Sequence, residues 1–358
     1  MLTGPATTKT STTMSPAATG EAEWSRAVKI IDSARSVWLA CHVRPDADAL
    51  GSMLAFASAL TTKRRAAGRP ATEVAASFGD DPFEVPAILR FLPGQSLLRP
   101  PAQVPDAPEV MVSFDAASMD RLGLLADRAE AAGELIVLDH HASNTGFGTV
   151  SLVDGGAAAT AVLAAELIRR LGIPLTKDIA LGLYAGLVTD TGSFKYSATT
   201  PHVHELAARL LATGIDPGIV ARELYDRAPF GYLGMLSAAL RRATLDRTAA
   251  GGLGLVWTTV TRADREPDGL PLDAAESVID VVRKTDEAEV AVVLKEADDG
   301  IWQVSARSKS LIDVGAACAA LGGGGHARAA GFSYSGGAGA AVAALRQLLD
   351  GQASASRP

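Results

Sequence analysis

Eight aspartates and histidines stand where four apolar runs end, and their spacing is the first sign of chemistry in this chain. Cys41-His42-Val43-Arg44-Pro45-Asp46-Ala47-Asp48 closes one run, ahead of Gly51 and Ser52. An imidazole followed by two carboxylates one residue apart can converge on a pair of hard divalent cations. Either aspartate alone could equally cap a turn after Pro45 or the next helix. Met111–Phe114 runs into Asp115, again a ligand or a cap. Leu135–Leu138 runs into Asp139-His140-His141. Adjacent histidines in an extended segment point to opposite sides, so one can ligate while the other faces a substrate. The plainer alternative is two surface histidines beside a capping aspartate. Asp190-Thr191-Gly192-Ser193 ends an apolar helical stretch. A carboxylate there is unfavourable for the helix dipole, an objection that a nearby cation removes. The pooled donors are oxygen and imidazole with no required thiolate, a set that suits Mn²⁺ best, with Mg²⁺, Co²⁺ or Zn²⁺ possible.

A second cluster is basic. Ser305-Ala306-Arg307-Ser308-Lys309 is followed by Gly322-Gly323-Gly324-Gly325-His326-Ala327-Arg328. Glycines let backbone N–H groups approach a phosphate or base closely, and arginine forks suit phosphate oxygens. No Gly-Lys-Ser/Thr follows, so this is not a Walker loop. A flexible turn with surface cations is the alternative.

These residues need elements to hold them. Apolar runs at 36–41, 73–78, 109–114, 134–138 and 149–153 read as buried strands. Helical stretches at 50–67, 120–132 and 157–171 lie between them, which predicts a mostly parallel, doubly wound α/β sheet covered on both faces. Consecutive helices follow at 177–189, 202–212, 217–225 and 229–240. A smaller α/β unit then begins near Thr244, with strands at 253–260, 288–295, 301–306 and 329–334. Helices at 273–282 and 314–321 flank them, and Gly251–Gly254 reads as a hairpin turn. The expected division is a disordered tail at 1–22, a metal-binding domain at 23–225, a helical linker at 226–243 and a substrate domain at 244–352. The tail reads MLTGPATTKTSTTMSPAATGEA, without the basic start and apolar core of a secretory signal.

Composition narrows the function. The 358 residues carry 33 lysines and arginines against 40 aspartates and glutamates, a net −7. Such a chain is no polybasic nucleic-acid coat, and its local basic cluster suits short anionic substrates over long duplex DNA. Mean hydropathy is +0.18, yet the longest apolar stretch, Gly155–Ala165, is broken by Thr160 and closed by Glu166. It falls well short of the ~20 residues of a spanning helix. Cys41 and Cys318, the only cysteines, suggest neither a disulfide framework nor a cysteine zinc site. A cytoplasmic protein without membrane partners is expected.

In this order, His-x-x-Pro-Asp-x-Asp-x-x-Gly-Ser, strand-Asp, Asp-His-His and Asp-Thr-Gly resemble the DHH phosphoesterases, and the Arg307 and glycine–histidine segments resemble the DHHA1 domain. The similarity covers nearly all of the chain after residue 23 and is closest to the NrnA-like branch. It implies a site cleft between two domains and hydrolysis of short RNA, 3′-phosphoadenosine 5′-phosphate, or linear and cyclic dinucleotides such as cyclic di-AMP. It implies that His42, Asp46 and Asp115 hold one divalent ion and that Asp48, Asp115, His140 and Asp190 hold another. Asp115 would bridge ions ~3.5–4 Å apart that activate a water. Asp139 would orient a ligand histidine, and His141 would face the phosphate. Arg307, Ser308, Lys309, Gly323, Gly324, Gly325, His326 and Arg328 would bind substrate, and homodimers are common in the family. Arg44 departs from a frequent asparagine, Ala47 from glycine and Ser118 from an acidic residue. None of the three is a ligand, though Arg44 bears on substrate preference. A single-strand exonuclease of the RecJ type, a pyrophosphatase and a nucleotide-binding regulator are the rival readings.

Overall fold

The computed structural model describes residues 20–69 and 73–355. It divides into two compact units, one up to Asp226 and one from Arg227. Residues 1–19 of the expected tail lie outside the described residues. The first helix already starts at Glu21, inside the expected tail, because Trp24, Ala27 and Ile31 bury one face against the core.

The first unit is built on five strands: β1 (Val37–Cys41), β2 (Val74–Phe78), β3 (Val110–Phe114), β4 (Glu134–Asp139) and β5 (Val150–Val153). Their spatial order is β2-β1-β3-β4-β5, every pair parallel. Its helices are α1 (Glu21–Ser33), α2 (Ala47–Ala66), α3 (Ala126–Glu130), α4 (Thr160–Arg170), α5 (Lys177–Asp190), α6 (Pro201–Leu211) and α7 (Pro217–Tyr225). Side chains alternate across a strand, and here both alternations are apolar. Leu39, Cys41, Val112, Phe114, Ile136 and Leu138 join one core with α1, α2, α4 and α5. Ala40, Met111, Leu135 and Val137 join a second core with Leu122, Leu125 and Ala129. Both faces are therefore covered, as parallel sheets require. The order in which strands are added to the sheet reverses between β1 and β3, and crevices at such switch points are where open α/β sheets bind ligands.

The second unit carries β6 (Thr244–Asp246), β7 (Leu255–Val260), β8 (Val290–Glu296), β9 (Trp302–Ser308), β10 (Gly324–His326) and β11 (Ala329–Tyr334). Its helices are α8 (Gly231–Arg241), α9 (Ala249–Gly252), α10 (Arg262–Arg265), α11 (Val278–Val282), α12 (Val314–Ala319) and α13 (Ala338–Ala355). The sheet order is β10-β11-β9-β8-β7-β6, antiparallel except between β7 and β8. The segment expected as a linker helix is α8, and it packs Met235 and Ala239 under this sheet as part of the second unit. Two further expectations change. The stretch 120–132 is broken into a 3₁₀ turn, Met119–Leu125, and α3, because Gly123 adopts φ 54 against Val43 and the Gly79 backbone. The stretch 273–282 likewise splits into a 3₁₀ turn, Leu272–Ala275, and α11.

One contact in the first unit fixes the site. Every residue of α2 from Ala47 to Ala57 is buried, which marks a central helix. It crosses α5 where Gly51 faces Gly182. A Cβ on Gly51 would lie 2.5 Å from the Gly182 carbonyl oxygen, and one on Gly182 would lie 2.6 Å from that of Gly51. Backbone on both sides leaves nothing able to yield. Gly182→Ala should therefore cost about 1–3 kcal/mol through overpacking, read as a lower urea midpoint with an unchanged slope.

Candidate active site

The four aspartate and histidine segments meet at the carboxyl ends of β1, β3 and β4 and at the facing ends of α2, α4 and α5. Asp46 carries both roles the sequence left open. Its Oδ1 caps α2 by accepting the Asp48 and Ala49 amides, each at 3.0 Å, while Oδ2 lies 3.8 Å from His42 Nε2. Asp48 is fully buried, with Oδ2 accepting the Thr160 amide at 2.6 Å and Oδ1 accepting Ala161 N at 2.9 Å and Ser52 Oγ at 3.2 Å. It fits against α5 only because residue 186 is glycine, where a Cβ would come within 2.6 Å of Asp48 Oδ1.

Asp115 sits at the centre. Its Oδ2 is 3.6 Å from His42 Nε2, and its Oδ1 is 3.4 Å from His140 Nε2 and 3.6 Å from His141 Nδ1. The residue holds φ 59, a left-handed conformation that aspartate tolerates better than most side chains. Asp190, from the end of α5, reaches His140 Nε2 at 3.1 Å, and Asp48 Oδ2 is 3.9 Å from the same nitrogen. His42, Asp46 and Asp115 thus offer one set of ligand atoms within 4.8 Å of one another, and Asp48, His140 and Asp190 offer another.

The second ring nitrogen of each histidine is also placed. His42 Nδ1 is 2.8 Å from the Val43 carbonyl, and His140 Nδ1 is 3.2 Å from that of Ala157. Such contacts leave Nε2 as the donor for a cation. His141 differs, since its Nδ1 meets Asp139 Oδ1 at 2.7 Å, and Asp139 Oδ2 accepts Asn144 Nδ2 at 2.7 Å. Asp139 therefore orients His141 and not an expected ligand histidine, because its oxygens are taken up by His141 and Asn144 while His140 Nδ1 faces the Ala157 carbonyl. In the close grouping of Asp115, Asp139 and His141, that hydrogen bond ties His141 to Asp139, while Asp115 Oδ1 stands 3.6 Å from His141 Nδ1.

Burial and charge pull the ionisations apart. Burial disfavours a charged His42, but the neighbouring carboxylates of Asp115 and Asp46 outweigh it and raise the imidazole to about 10. Burial likewise opposes charge on His140, yet Asp190 and Asp115 carry it well above its ordinary value. His141 is raised against burial by Asp139 and Asp115. Burial alone would raise Asp115; the adjacent imidazoles of His42, His140 and His141 hold it far below the carboxylate range. Burial and then Asp190 push Asp48 well up. Asp190, raised by burial against the pull of His140, lies at about 6. Anionic oxygens this concentrated need cationic partners, and imidazole protons supply the charge here. Divalent cations fit this donor set.

Sequence reasoning passed over four residues. Arg121 Nη2 lies 3.3 Å from His42 Nδ1 and Arg121 O accepts the Val43 amide, so the 3₁₀ turn braces this histidine. Asn144 anchors Asp139, Thr160 touches both Asp48 and Asp115, and Gly186 makes room for Asp48. None of the four belongs to a titratable pair that spacing could flag. Arg44 has φ 51, a backbone state in which asparagine is less costly than arginine, and its amide donates to Asp80 Oδ2 at 2.7 Å.

The basic cluster lies in the second unit. The glycine run is an edge strand: Gly324 pairs with Gly331, Gly325 with Ala330 and His326 with Ala329. Ala329 pairs in turn with Arg307, so His326, Ala329 and Arg307 share one cross-strand row and one face. A Cβ on Gly323 would lie 2.1 Å from the Gly331 carbonyl oxygen, and Gly325 holds φ 136, whereas Gly324 opens onto free space. Ser308 is buried, donating to the Ile312 carbonyl at 2.7 Å. Lys309 Nζ donates to the Thr285 carbonyl at 2.6 Å, and Arg328 Nη1 to that of Ile312 at 2.8 Å.

Gly186→Ala should displace Asp48 and weaken divalent-cation binding by about 10–100-fold, read by calorimetric titration, with the far-UV spectrum unchanged.

The chain is similar to known proteins along most of its length. Residues 36–187 match the DHH family N-terminal domain and residues 257–354 the DHHA1 domain. A bifunctional oligoribonuclease and PAP phosphatase NrnA of Thermus thermophilus is 32% identical over 84% of both chains. A probable enzyme of the same name from Streptococcus mutans is 26% identical over 82% of this chain and 88% of its own. An exopolyphosphatase-related protein of Bacteroides fragilis has the same fold, with a TM-score of 0.81 at 21% identity, covering 94% of this chain and 98% of that one. Among the described residues no helix is long and apolar enough to cross a membrane. With a DHH domain, a DHHA1 domain and NrnA relatives along most of its length, the chain belongs to the DHH family of phosphoester hydrolases.

Proposed function

We propose that this protein is a cytoplasmic phosphodiesterase and phosphatase that releases mononucleotides from short RNA, linear or cyclic dinucleotides and 3′-phosphoadenosine 5′-phosphate. The observation that carries the reading is Asp115, whose two oxygens face His42 on one side and His140 on the other. The names of the Thermus and Streptococcus relatives support the substrate class.

His42, Asp46 and Asp115 would hold one divalent ion, and Asp48, Asp115, His140 and Asp190 the other, with Mn²⁺ the best match to these donors. Bound there, the pair would supply Lewis acidity and lower the pKa of an attacking water. The remaining work falls to the chain. Asp139 fixes the ring of His141, leaving Nε2 to donate to a phosphoryl oxygen as charge develops. Arg307, His326 and Arg328, with the backbone of Gly323, Gly324 and Gly325, would bind the substrate's phosphate and base. Ser308 and Lys309, whose polar atoms are committed to backbone carbonyls, would shape that segment.

A panel of dinucleotide RNA, pentanucleotide RNA, 3′-phosphoadenosine 5′-phosphate, cyclic di-AMP and pyrophosphate tests this with Mn²⁺ present. Mononucleotide release that disappears in Asp115→Ala is expected. Tight nucleotide binding without turnover would replace the reading with a regulatory binder, and turnover of pyrophosphate alone would replace the substrate class. Arg307→Ala should raise KM for the nucleotide substrates more than it lowers kcat.

The raised histidines give a second test. A cation needs neutral imidazole, and without one His42 stays protonated up to about pH 10. Loading at pH 7 should therefore release protons. Calorimetry in buffers of different ionisation enthalpy should show at least one proton released, and Mn²⁺ affinity should fall as pH drops from 8 to 6. Affinity that is flat over this range would contradict it.

A further inference from the structure

Thr160 interrupts an apolar stretch and is wholly buried at the first position of α4. A buried hydroxyl requires a partner, and this one donates to Asp115 Oδ1 at 2.8 Å. The backbone amide of the same residue donates to Asp48 Oδ2 at 2.6 Å, and the next amide, Ala161, donates to Asp48 Oδ1 at 2.9 Å. Helix α4 has no side-chain cap of its own. Its first orphan N–H groups are thus satisfied by a carboxylate from α2, and the positive end of its dipole rests on two aspartates at once.

The hydroxyl does something that the amides cannot. Asp115 Oδ1 is the oxygen facing His140 and His141, while Oδ2 faces His42. A carboxylate shared by two ligand groups must hold its plane fixed, or one group loses its oxygen. Each carboxylate oxygen has two acceptor sites, so a hydroxyl bond to Oδ1 fixes that plane and still leaves Oδ1 a lone pair.

We propose that Thr160 is a positioning residue for the cation pair, holding Asp48 through its amide and setting the orientation of the shared Asp115 through its hydroxyl. This rests on the ligand sets given above.

Substitution separates the hydroxyl from the packing of the methyl group. Thr160→Val keeps size and amide but loses the hydroxyl; Thr160→Ser keeps the hydroxyl and loses the methyl. Mn²⁺ titration of the whole chain by calorimetry is the primary reading, with kcat, KM and metal-free melting temperature beside it. The expected result is two ions bound by the unaltered protein and a loss of about 10–100-fold in affinity for at least one of them in Thr160→Val. In that variant kcat should fall with KM within about twofold, and Thr160→Ser should restore both readings. Unaltered affinity in Thr160→Val, or a loss in Thr160→Ser as large as in the valine variant, overturns the proposal. Should the valine variant fold poorly, Thr160→Ala takes its place under the same criteria. Failure of the unaltered chain to bind Mn²⁺ would overturn the ligand sets together with this proposal, whereas normal binding in both hydroxyl-less variants overturns the role of Thr160 alone.

Discussion

Negative charge is what the first unit is organised to contain. Asp48, Asp115 and Asp139 are buried, and Asp46 and Asp190 face the same place. Carboxylates removed from water are costly unless paired or hydrogen-bonded, and each is answered. Backbone amides of α2 meet Asp46, amides at the start of α4 meet Asp48, a hydroxyl meets Asp115 and an amide side chain meets Asp139. Only α5 arrives by its carboxyl end, bringing Asp190 against the sense of its dipole. Protons on imidazole offset that charge, and divalent cations can do so more completely.

The helix arrangement follows from this need. For two helices to bring Asp48 and Asp190 to one histidine, their axes must pass closely, and Gly51 against Gly182 permits this. One turn further along α5, Gly186 gives Asp48 the space its carboxylate occupies. Packing and chemistry are one problem here, since a methyl group added for helix propensity would move a ligand.

Much of this was legible in the sequence. The five parallel strands lie within about a residue of their expected places, since continuous apolar runs bounded by polar turns leave a buried strand little freedom. Of the ligand candidates, His42, Asp115 and His140 converge because they follow strand ends on one edge of a parallel sheet, whereas Asp46 and Asp48 come from the start of α2 and Asp190 from the end of α5, brought in by the close packing of those helices. What escaped depends on pairing or packing across the chain. The glycine run became β10 only by bonding to β11, and α13, rich in alanine and glycine, carries little apolar contrast. Gly123 broke an expected helix through contact with Val43 and Gly79, which lie far from it in sequence. Thr160 read as a flaw in an apolar stretch, because its partners are Asp115, just after β3, and Asp48 of α2.

The ligand candidates also differ in their access to water. The Asp46 side chain is 56% exposed and that of Asp190 18%, while Asp48 is fully covered. A cation shared by His42, Asp46 and Asp115 would sit at the rim, where water can replace a departing ligand one contact at a time. A cation among Asp48, His140 and Asp190 would have to strip off most of its hydration before seating. Ions bound at both positions would therefore exchange with the surroundings at unequal speeds, the outer one following the metal content of the medium and the inner one staying in place for longer.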